Sequence, residues 1–286
     1  MTDGRPTFVM LAAGLAKRYG GCKPLAPVGV HGEAIIDLSA SDALSAGFGR
    51  IVIVVGPKTA PAIGYHVKRS WPHWVDVVTA VQPEPLGTAH AAVCAREAIG
   101  DRPFAVVNSD DVYGAPALEV LADKIERGAN ALVAFELSDT VLGSEPVTRG
   151  VCLTDSSGAL VGLSERRKVA RQRDGTFMSD DGLEPSVFSP ETLVSMNLWG
   201  FQADIWKLLE KAIEHLESDL EPGGEILLPE VVGEAVADGT LVVDLTAGPG
   251  RCVGVTHADD LPVARSELAR MVGRGERAEW LWERPR

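Results

Sequence analysis

A basic, glycine-containing loop follows the first apolar run of the chain, and its composition is that of a phosphate-binding site. Residues 8–13 predict a short buried strand, and the loop after them carries Lys17, Arg18 and Lys23 with no acidic residue before Glu33. Backbone N–H groups in such a loop can approach phosphate oxygens closely. A guanidinium group grips two oxygens as a fork, whereas an ammonium group supplies a point charge. The loop therefore indicates phosphate chemistry.

Two later segments carry side chains suited to a nucleobase and a metal ion. Gln82 precedes Gly87 and Thr88; a glutamine amide both donates and accepts at a base edge, and the threonine can cap the next helix. Asp110 and Asp111 follow a buried strand, at the position where α/β sheets bind ligands. Carboxylate oxygens together with phosphates are what Mg²⁺ prefers. Phosphate, base and metal groups thus follow one another along the chain.

The order of these segments resembles that of sugar-nucleotide pyrophosphorylases and related nucleotidyltransferases. Residues 11–18 and the Lys-Pro pair at 23–24 are similar to the family's phosphate loop, and residues 82–89 to its base-binding segment. Residues 108–111 resemble the Gly-Asp pair whose aspartate binds Mg²⁺, and residues 195–201 resemble the strand that lines the sugar side. The four matches occur in the family's order.

The resemblance implies transfer of a nucleoside monophosphate from an NTP to a sugar 1-phosphate, with release of pyrophosphate. Catalysis would then fall to Arg18, on the α- and β-phosphates, and Lys23, on the transferred phosphate, while Asp110 would bind Mg²⁺. Positioning and charge neutralisation carry such phosphoryl chemistry. The implied nucleotide-binding residues are Leu11, Ala12, Ala13, Gly14, Gln82, Gly87 and Thr88, and the implied acceptor-binding residues are Asn197 and Glu165.

The sequence departs from the family pattern at several positions. Ala16 stands where the family has its second glycine, Lys17 stands where it has Thr or Ser, and Ser109 replaces the glycine of the Gly-Asp pair. Lys23 precedes Pro24, whereas many relatives have the proline first. The family's second metal-binding aspartate has no clear match, and the candidates are Asp244, Asp259 and Asp260.

Other functions remain open or are excluded by the same loops. The acceptor could instead be choline phosphate or a cofactor phosphate, or the chain could be a catalytically silent nucleotide-sugar-binding protein. A dinucleotide-binding oxidoreductase would need G-x-G-x-x-G after the first strand, and a P-loop kinase would need G-x-x-x-x-G-K-[ST]; the chain has neither.

Apolar runs alternate with helical segments through the first half of the chain, which predicts a mostly parallel sheet covered on both faces. We therefore expect a three-layer Rossmann-like α/β nucleotidyltransferase core with a small acceptor-binding subdomain. The domain would span residues 1–274, with a nucleotide-binding half at about 7–137, an acceptor-binding half at about 150–260 and a tail at 275–286. The polar segment 166–191 predicts a loop or lid.

Composition sets the remaining expectations. The net charge of −13 argues against nucleic acid or anionic lipid as the main partner. The chain has no apolar run of about 18 residues, and its start does not resemble a signal peptide. The four cysteines are scattered and match no zinc or disulfide pattern. We expect a cytoplasmic enzyme acting on small molecules, and a homo-oligomer remains possible.

Overall fold

The computed structural model describes residues 4–14, 21–141, 145–217, 224–255 and 258–282. Its strands are β1 (Thr7–Ala12), β2 (Arg50–Val55), β3 (Val77–Val81), β4 (Phe104–Asn108), β5 (Asp111–Val112), β6 (Ala131–Glu136), β7 (Val147–Thr154), β8 (Leu160–Arg171), β9 (Phe177–Met178), β10 (Val187–Phe188), β11 (Leu193–Phe201), β12 (Asp244–Ala247) and β13 (Val253–Gly254). Its α-helices are α1 (Ile35–Ser45), α2 (Ala60–Ser70), α3 (Thr88–Cys94), α4 (Arg96–Ile99), α5 (Ala115–Glu126), α6 (Leu137–Thr140), α7 (Ile205–Glu217), α8 (Leu228–Ala237) and α9 (Leu261–Gly273).

One large sheet runs through the molecule in the order β10-β9-β8-β7-β11-β4-β1-β2-β3, with β6 paired to β11 and β12 paired to β6. The core strands β4, β1, β2 and β3 are mutually parallel, whereas β11 is antiparallel to its neighbours β4, β6 and β7. Strands β7 to β10 continue the sheet in antiparallel fashion. The expected parallel core is confirmed, and an antiparallel extension adjoins it.

Helices cover both faces of the sheet, because its central strands are apolar on both sides. Helices α1, α2 and α5 pack on one face, where Ile36 and Leu121 are fully buried. Helices α3, α7 and α8 pack on the other, where Ala92 and Leu209 are fully buried. The predicted three-layer α/β architecture is confirmed.

The parallel strands bring two predicted site segments to one edge of the sheet. Leu11 near the end of β1 lies opposite Asn108 at the end of β4. The loops after parallel strands meet at the carboxyl edge, so the phosphate loop and the aspartate pair leave the sheet side by side.

The prediction of a loop or lid at 166–191 is wrong for its first part. Strand β8 continues through Arg171 and pairs with β9, which pairs with β10. We call β8 to β10, residues 160–188, the outer arm. Its apolar side chains Val169, Phe177 and Phe188 form a small core together with residues of α6, β7 and β11. The polar composition concealed this core because few residues build it.

The described part of the predicted tail, 275–282, packs on the first helix. Arg277 donates a 2.5 Å hydrogen bond to Asp42, and the backbone N–H of Trp282 donates to Ser41. The Trp280 ring stacks on His31 with centroids 4.2 Å apart. Side chains of the tail thus complete the surface of α1.

Candidate active site

Two side-chain hydroxyls from neighbouring loops donate hydrogen bonds to the end of β1. Ser109 donates to the Leu11 carbonyl at 2.6 Å, and Thr59 donates to the Ala12 carbonyl at 2.9 Å. The serine that replaces the family's glycine therefore ties the end of β4 to the end of β1. The predicted catalytic residue Arg18 lies outside the described residues.

Lys23 and Asp110 meet directly, although they are far apart in sequence. The Lys23 ammonium lies 2.5 Å from Asp110 Oδ2, and the two side chains are 13% and 34% exposed. Lys23 starts a short 3₁₀ turn at Lys23–Leu25 with the buried Pro24 beside it, which fixes the direction of the lysine. The two residues assigned to the transferred phosphate and the metal are thus adjacent.

Asp111 plays a different part from Asp110. It is buried in strand β5, and burial together with the charge of Asp110 raises its pKa to about 7. Asn108 donates to Asp111 Oδ2 at 3.0 Å. A Cβ on Gly254 would lie 2.4 Å from Asp111 Oδ1, so a larger residue there would displace the Asp111 carboxylate. Asp111 is packed into the floor of the site, while Asp110 faces its opening.

A chain of side-chain hydrogen bonds joins β11, the predicted sugar-side strand, to this floor. Trp199 Nε1 donates to Asn197 Oδ1 at 3.2 Å, and Asn197 Nδ2 lies 3.4 Å from Asn108 Oδ1. Asn197 has φ of 60° at an irregularity in the pairing of β11 with β6. This left-handed backbone, which asparagine tolerates better than most residues, aims the amide at Asn108. Asn197, which is predicted to bind the acceptor, therefore also contacts Asn108, the residue that donates to Asp111.

A cavity of about 820 Å³ opens at this edge of the sheet. It brings together four of the predicted site residues: Lys23, Asp110, Glu165 and Asn197. Its acidic lining residues are Asp110, Asp111, Glu145, Glu165, Glu230, Glu234 and Asp260. Among the described residues, its basic lining consists of Lys23 and Arg149.

The predicted base-binding residues lie away from the described lining of this cavity. Gln82 is buried, and its Nε2 donates to the Gly87 carbonyl at 2.9 Å and to His90 Nδ1 at 3.1 Å. Gly87 has φ of +97°, and a Cβ there would lie 2.4 Å from the Ile226 carbonyl oxygen. The loop is therefore held against the segment that leads into α8.

Thr88 caps a different helix from the one expected. Its Oγ1 accepts a 2.8 Å hydrogen bond from the backbone N–H of Leu228, the first residue of α8. Helix α3, which begins at Thr88, has no side-chain cap. The expectation that Thr88 caps the next helix is wrong, because the start of α8 folds back onto this loop.

Comparison with known proteins identifies the family. The chain matches the sequence model of the nucleotidyl transferase family over residues 9–243. This protein belongs to the nucleotidyl transferase family. The family predicted from the sequence motifs is confirmed.

Individual relatives of this nucleotidyl transferase agree with that assignment. The bifunctional protein GlmU of Hyphomonas neptunium is 28% identical over 280 residues, which are 93% of this chain and 53% of the relative. The chain thus spans about half the length of curated relatives that match most of it. A UTP–glucose-1-phosphate uridylyltransferase of Bacillus subtilis is 42% identical over 57 residues, covering 19% of this chain and 20% of the relative.

A solved structure supports the fold. It is described as a glucose-1-phosphate thymidylyltransferase from Bacillus anthracis in complex with sucrose. It matches with a TM-score of 0.68 at 12% identity and covers 92% of this chain and 94% of its own. No helix in the described part of this nucleotidyl transferase is both long and apolar enough to cross a membrane.

The oxygens at the site suit a magnesium ion that is completed by substrate phosphates. Within the described ranges, no cluster of three or more acids, histidines or cysteines could hold a metal by protein groups alone. Mg²⁺ usually needs only one or two carboxylates beside phosphates and water. Asp110 already accepts a cation, the Lys23 ammonium, and its carboxylate faces the cavity. Its donor chemistry therefore fits the ion.

The three candidates for a second acidic metal ligand differ in their position relative to the cavity. Asp260 lines the cavity, whereas Asp244 pairs with Lys124 at 3.1 Å. Asp244 begins β12, which runs parallel to β6, so it lies at the opposite edge of the sheet from the site. Asp259 is exposed and does not line the cavity.

Two cavity residues were missed by the sequence motifs. Asn108 lies within the motif at residues 108–111, which predicts no role for it, and it links Asp111 to Asn197. Arg149 lies on β7 and lines the cavity with its side chain partly buried. The position of Asn108 at the end of a buried strand could have indicated a site residue. No sequence feature indicated a role for Arg149, since its strand has the pattern of an ordinary hairpin.

Proposed function

We propose that this nucleotidyl transferase transfers a nucleoside monophosphate from an NTP to a sugar 1-phosphate. A phosphate oxygen of the acceptor forms a bond to the α-phosphorus, and the bond from that phosphorus to the bridging oxygen of the β-phosphate breaks. The products are an NDP-sugar and pyrophosphate. The observation that carries the proposal is the single cavity in which Lys23 and Asp110 share a wall with the sugar-side residues Asn197 and Glu165.

Charge neutralisation is the main requirement, because acceptor and target are both anionic. Lys23 would neutralise the transferred phosphate, and its contact with Asp110 keeps the ammonium beside the position of that group. Arg18 would bind the α- and β-phosphates and the departing pyrophosphate. Mg²⁺ on Asp110, with Asp260 as a further oxygen donor, would supply positive charge to the phosphates when bound.

Nucleotide recognition would use the end of β1 and the base loop. Residues 11–14 would offer backbone groups to the phosphates, and Gln82, Gly87 and Thr88 would contact the nucleoside. Both N–H groups of Gln82 have partners within the fold. The amide oxygen, an acceptor, is the part that would meet a donor group of the base.

Acceptor recognition would use Asn197 and Glu165, which hydrogen-bond sugar hydroxyls. The acceptor-binding half would comprise residues of about 150–260, and the nucleotide-binding half those of about 7–137. We further propose that the enzyme acts in the cytoplasm, since its four cysteines are all free thiols. Self-association is left to direct measurement.

A second acceptor class is favoured by the charge at the far end of the cavity. Glu165, Glu230 and Glu234 line the cavity, and burial, followed by the charges of Glu165 and Glu234, raises the pKa of Glu230. Three neighbouring carboxylates suit an acceptor that carries an ammonium group as well as a phosphate. Choline phosphate is such a molecule.

The test is a pyrophosphate-release screen with purified protein and Mg²⁺. Each of ATP, GTP, CTP, UTP and dTTP is combined with sugar 1-phosphates, amino-sugar 1-phosphates and choline phosphate. Release that needs one NTP and one sugar 1-phosphate together supports the proposal. Release with choline phosphate alone would favour the second class. NTP binding without release from any pair would instead indicate a nucleotide-sugar-binding protein that lacks the chemistry.

A further inference from the structure

Arg149 is a partly buried cation in the wall of the cavity, and its hydrogen bonds go to neutral oxygens. Its Nε donates to Thr140 Oγ1 at 3.0 Å, one terminal nitrogen donates to the Thr140 carbonyl at 2.5 Å, and the other to the Thr148 carbonyl at 2.8 Å. No carboxylate of the described residues lies within ion-pair distance of it. A guanidinium has five N–H donors, so part of its fork remains for another partner.

Placing the charged Arg149 guanidinium in a partly buried position costs desolvation free energy. Burial lowers the pKa of the guanidinium, and the charge of Asp111 acts in the opposite direction. A cation taken out of water is normally paired with an anion. Because the side chain lines a cavity for phosphorylated substrates, an anion from outside the chain can complete the pair.

The position of Arg149 points to the acceptor rather than to the NTP. In the sheet, Gly150 lies opposite Glu165 on one side and Ser195 on the other, next to the sugar-side strand residues. The charge of Asp111 acts on the Arg149 guanidinium, and Glu165 and Asn197 line the same cavity as Arg149. A sugar with its hydroxyls near Glu165 and Asn197 would direct its anomeric phosphate towards this position.

We propose that Arg149 binds the phosphate of the acceptor and so selects phosphorylated acceptors over free sugars. The inference rests on the proposed function for the identity of the acceptor, but the anion site itself does not. The fork would grip two oxygens of the phosphate and leave a third to attack the α-phosphorus.

The first experiment tests the anion site without turnover. Inorganic phosphate is titrated into wild type, Arg149→Gln, Arg149→Lys and the control Arg127→Gln, with binding followed by tryptophan fluorescence and by calorimetry. Arg127 is exposed and pairs with Asp123 at the end of α5, so its loss removes the same charge outside the cavity. We expect Arg149→Gln to weaken phosphate binding by about tenfold to a hundredfold, Arg149→Lys to weaken it less, and the control to match wild type.

The second experiment uses the acceptor and NTP that the release screen identifies. Arg149→Gln should raise the KM for the acceptor at least tenfold and leave the KM for the NTP within twofold. An unchanged acceptor KM, an effect on the NTP alone, or wild type that binds no phosphate would overturn the inference. Should Arg149→Gln fail to fold, Arg149→Lys provides the same comparison, since it keeps the charge and loses the fork.

The two proposals fail in different ways. Phosphate binding that depends on Arg149 in a protein that releases no pyrophosphate would refute the transferase and leave the anion site standing. Turnover with an acceptor KM that is unchanged in Arg149→Gln would support the transferase and refute the anion site.

Discussion

Two arginines lie opposite each other on neighbouring strands, and they have opposite surroundings, although Arg166 is buried and Arg149 is partly buried. Arg149 on β7 and Arg166 on β8 are cross-strand partners. Arg166 forms a fork with Asp181, with both N···O distances at 2.9 Å, and its guanidinium lies over the Phe188 ring. Within the part of the chain that the structure describes, Arg149 donates to Thr140 and to the Thr148 carbonyl. Among the described residues, Arg166 has a carboxylate counter-ion and Arg149 does not.

The difference separates a structural arginine from one kept for a ligand. The pair of Arg166 with Asp181 joins the strands of the outer arm, and its charge is fully compensated within the fold. Arg277, paired with Asp42 under the C-terminal segment, belongs to the same class. Lys23 is intermediate, since its partner Asp110 is open to the cavity. We therefore expect basic residues with a buried counter-ion in the fold to be structural, and those without one to bind a ligand.

The largest effect should come from Lys23→Ala. Removing the ammonium leaves the transferred phosphate without its neutralising charge, so we expect kcat to fall by about 10³-fold with the substrates found in the screen. Circular dichroism and the thermal midpoint should stay close to wild type, because Asp110 is open to solvent and does not become an isolated buried charge.

Lys68→Ala is the matched control, since Lys68 is exposed on α2 and its loss changes the net charge equally. Its kcat should equal that of wild type. A Lys23→Ala enzyme that retains a kcat within tenfold of wild type would mean that the contact with Asp110 is merely structural.

The next largest effect should be on stability, in Arg277→Gln. The variant leaves the buried Asp42 carboxylate without its partner, and breaking such a pair costs about 3 kcal/mol of unfolding free energy. Burial raises the pKa of Asp42, while Arg277 lowers it. Urea unfolding at pH 8 measures the loss.

The pH dependence of this loss has a definite sign. Without Arg277, the folded-state pKa of Asp42 rises further above its unfolded value, so the folded variant binds a proton more readily than the unfolded chain. The deficit against wild type should therefore shrink as the pH falls from 8 to 5. A deficit that stays constant over this range would indicate that lost packing, not the carboxylate charge, destabilises the variant.

A smaller loss is expected when the pair in the outer arm is broken. Arg166→Met should lower the thermal midpoint by about 5 °C, and Arg166→Met with Asp181→Leu should recover most of it, since two apolar groups leave no unpaired charge. The hydrogen bonds from Arg166 hold the pKa of Asp181 well below its usual range. The contribution of the pair should thus be complete above about pH 4 and disappear as the pH falls further. A double variant no more stable than the single one would contradict this account.

The sequence motifs placed one side of the site well because that side depends on local patterns. A buried strand followed by polar residues predicts a strand end, and strand ends of a parallel sheet meet at one edge. Lys23 and Asp110 could therefore be expected near each other, and they are in contact. The order of loops along the chain was sufficient for the family.

The remaining features depend on contacts that no short pattern encodes. Thr88 caps a helix that begins 140 residues later, at Leu228. Asn197 reaches Asn108 only because its backbone turns left-handed at an irregularity in β11. The burial of Arg149 depends on Thr140, which precedes it by nine residues in another element. Arginines on polar strands are usually exposed, so its role required the assembled sheet.

The smallest stability effect is also the sharpest test of the comparison, and it comes from Arg149→Met. Removing this guanidinium leaves no unpaired carboxylate behind, and the oxygens it releases lie in a cavity that water can enter. We therefore expect the free energy of unfolding to stay within about 1 kcal/mol of wild type, against the larger loss in Arg277→Gln, measured in the same urea titrations. Both variants remove one positive charge that is at least partly buried, so Arg277→Gln is the matched control. A loss in Arg149→Met as large as that of the control would place Arg149 among the structural arginines, and the state of the counter-ion would then not distinguish the two roles.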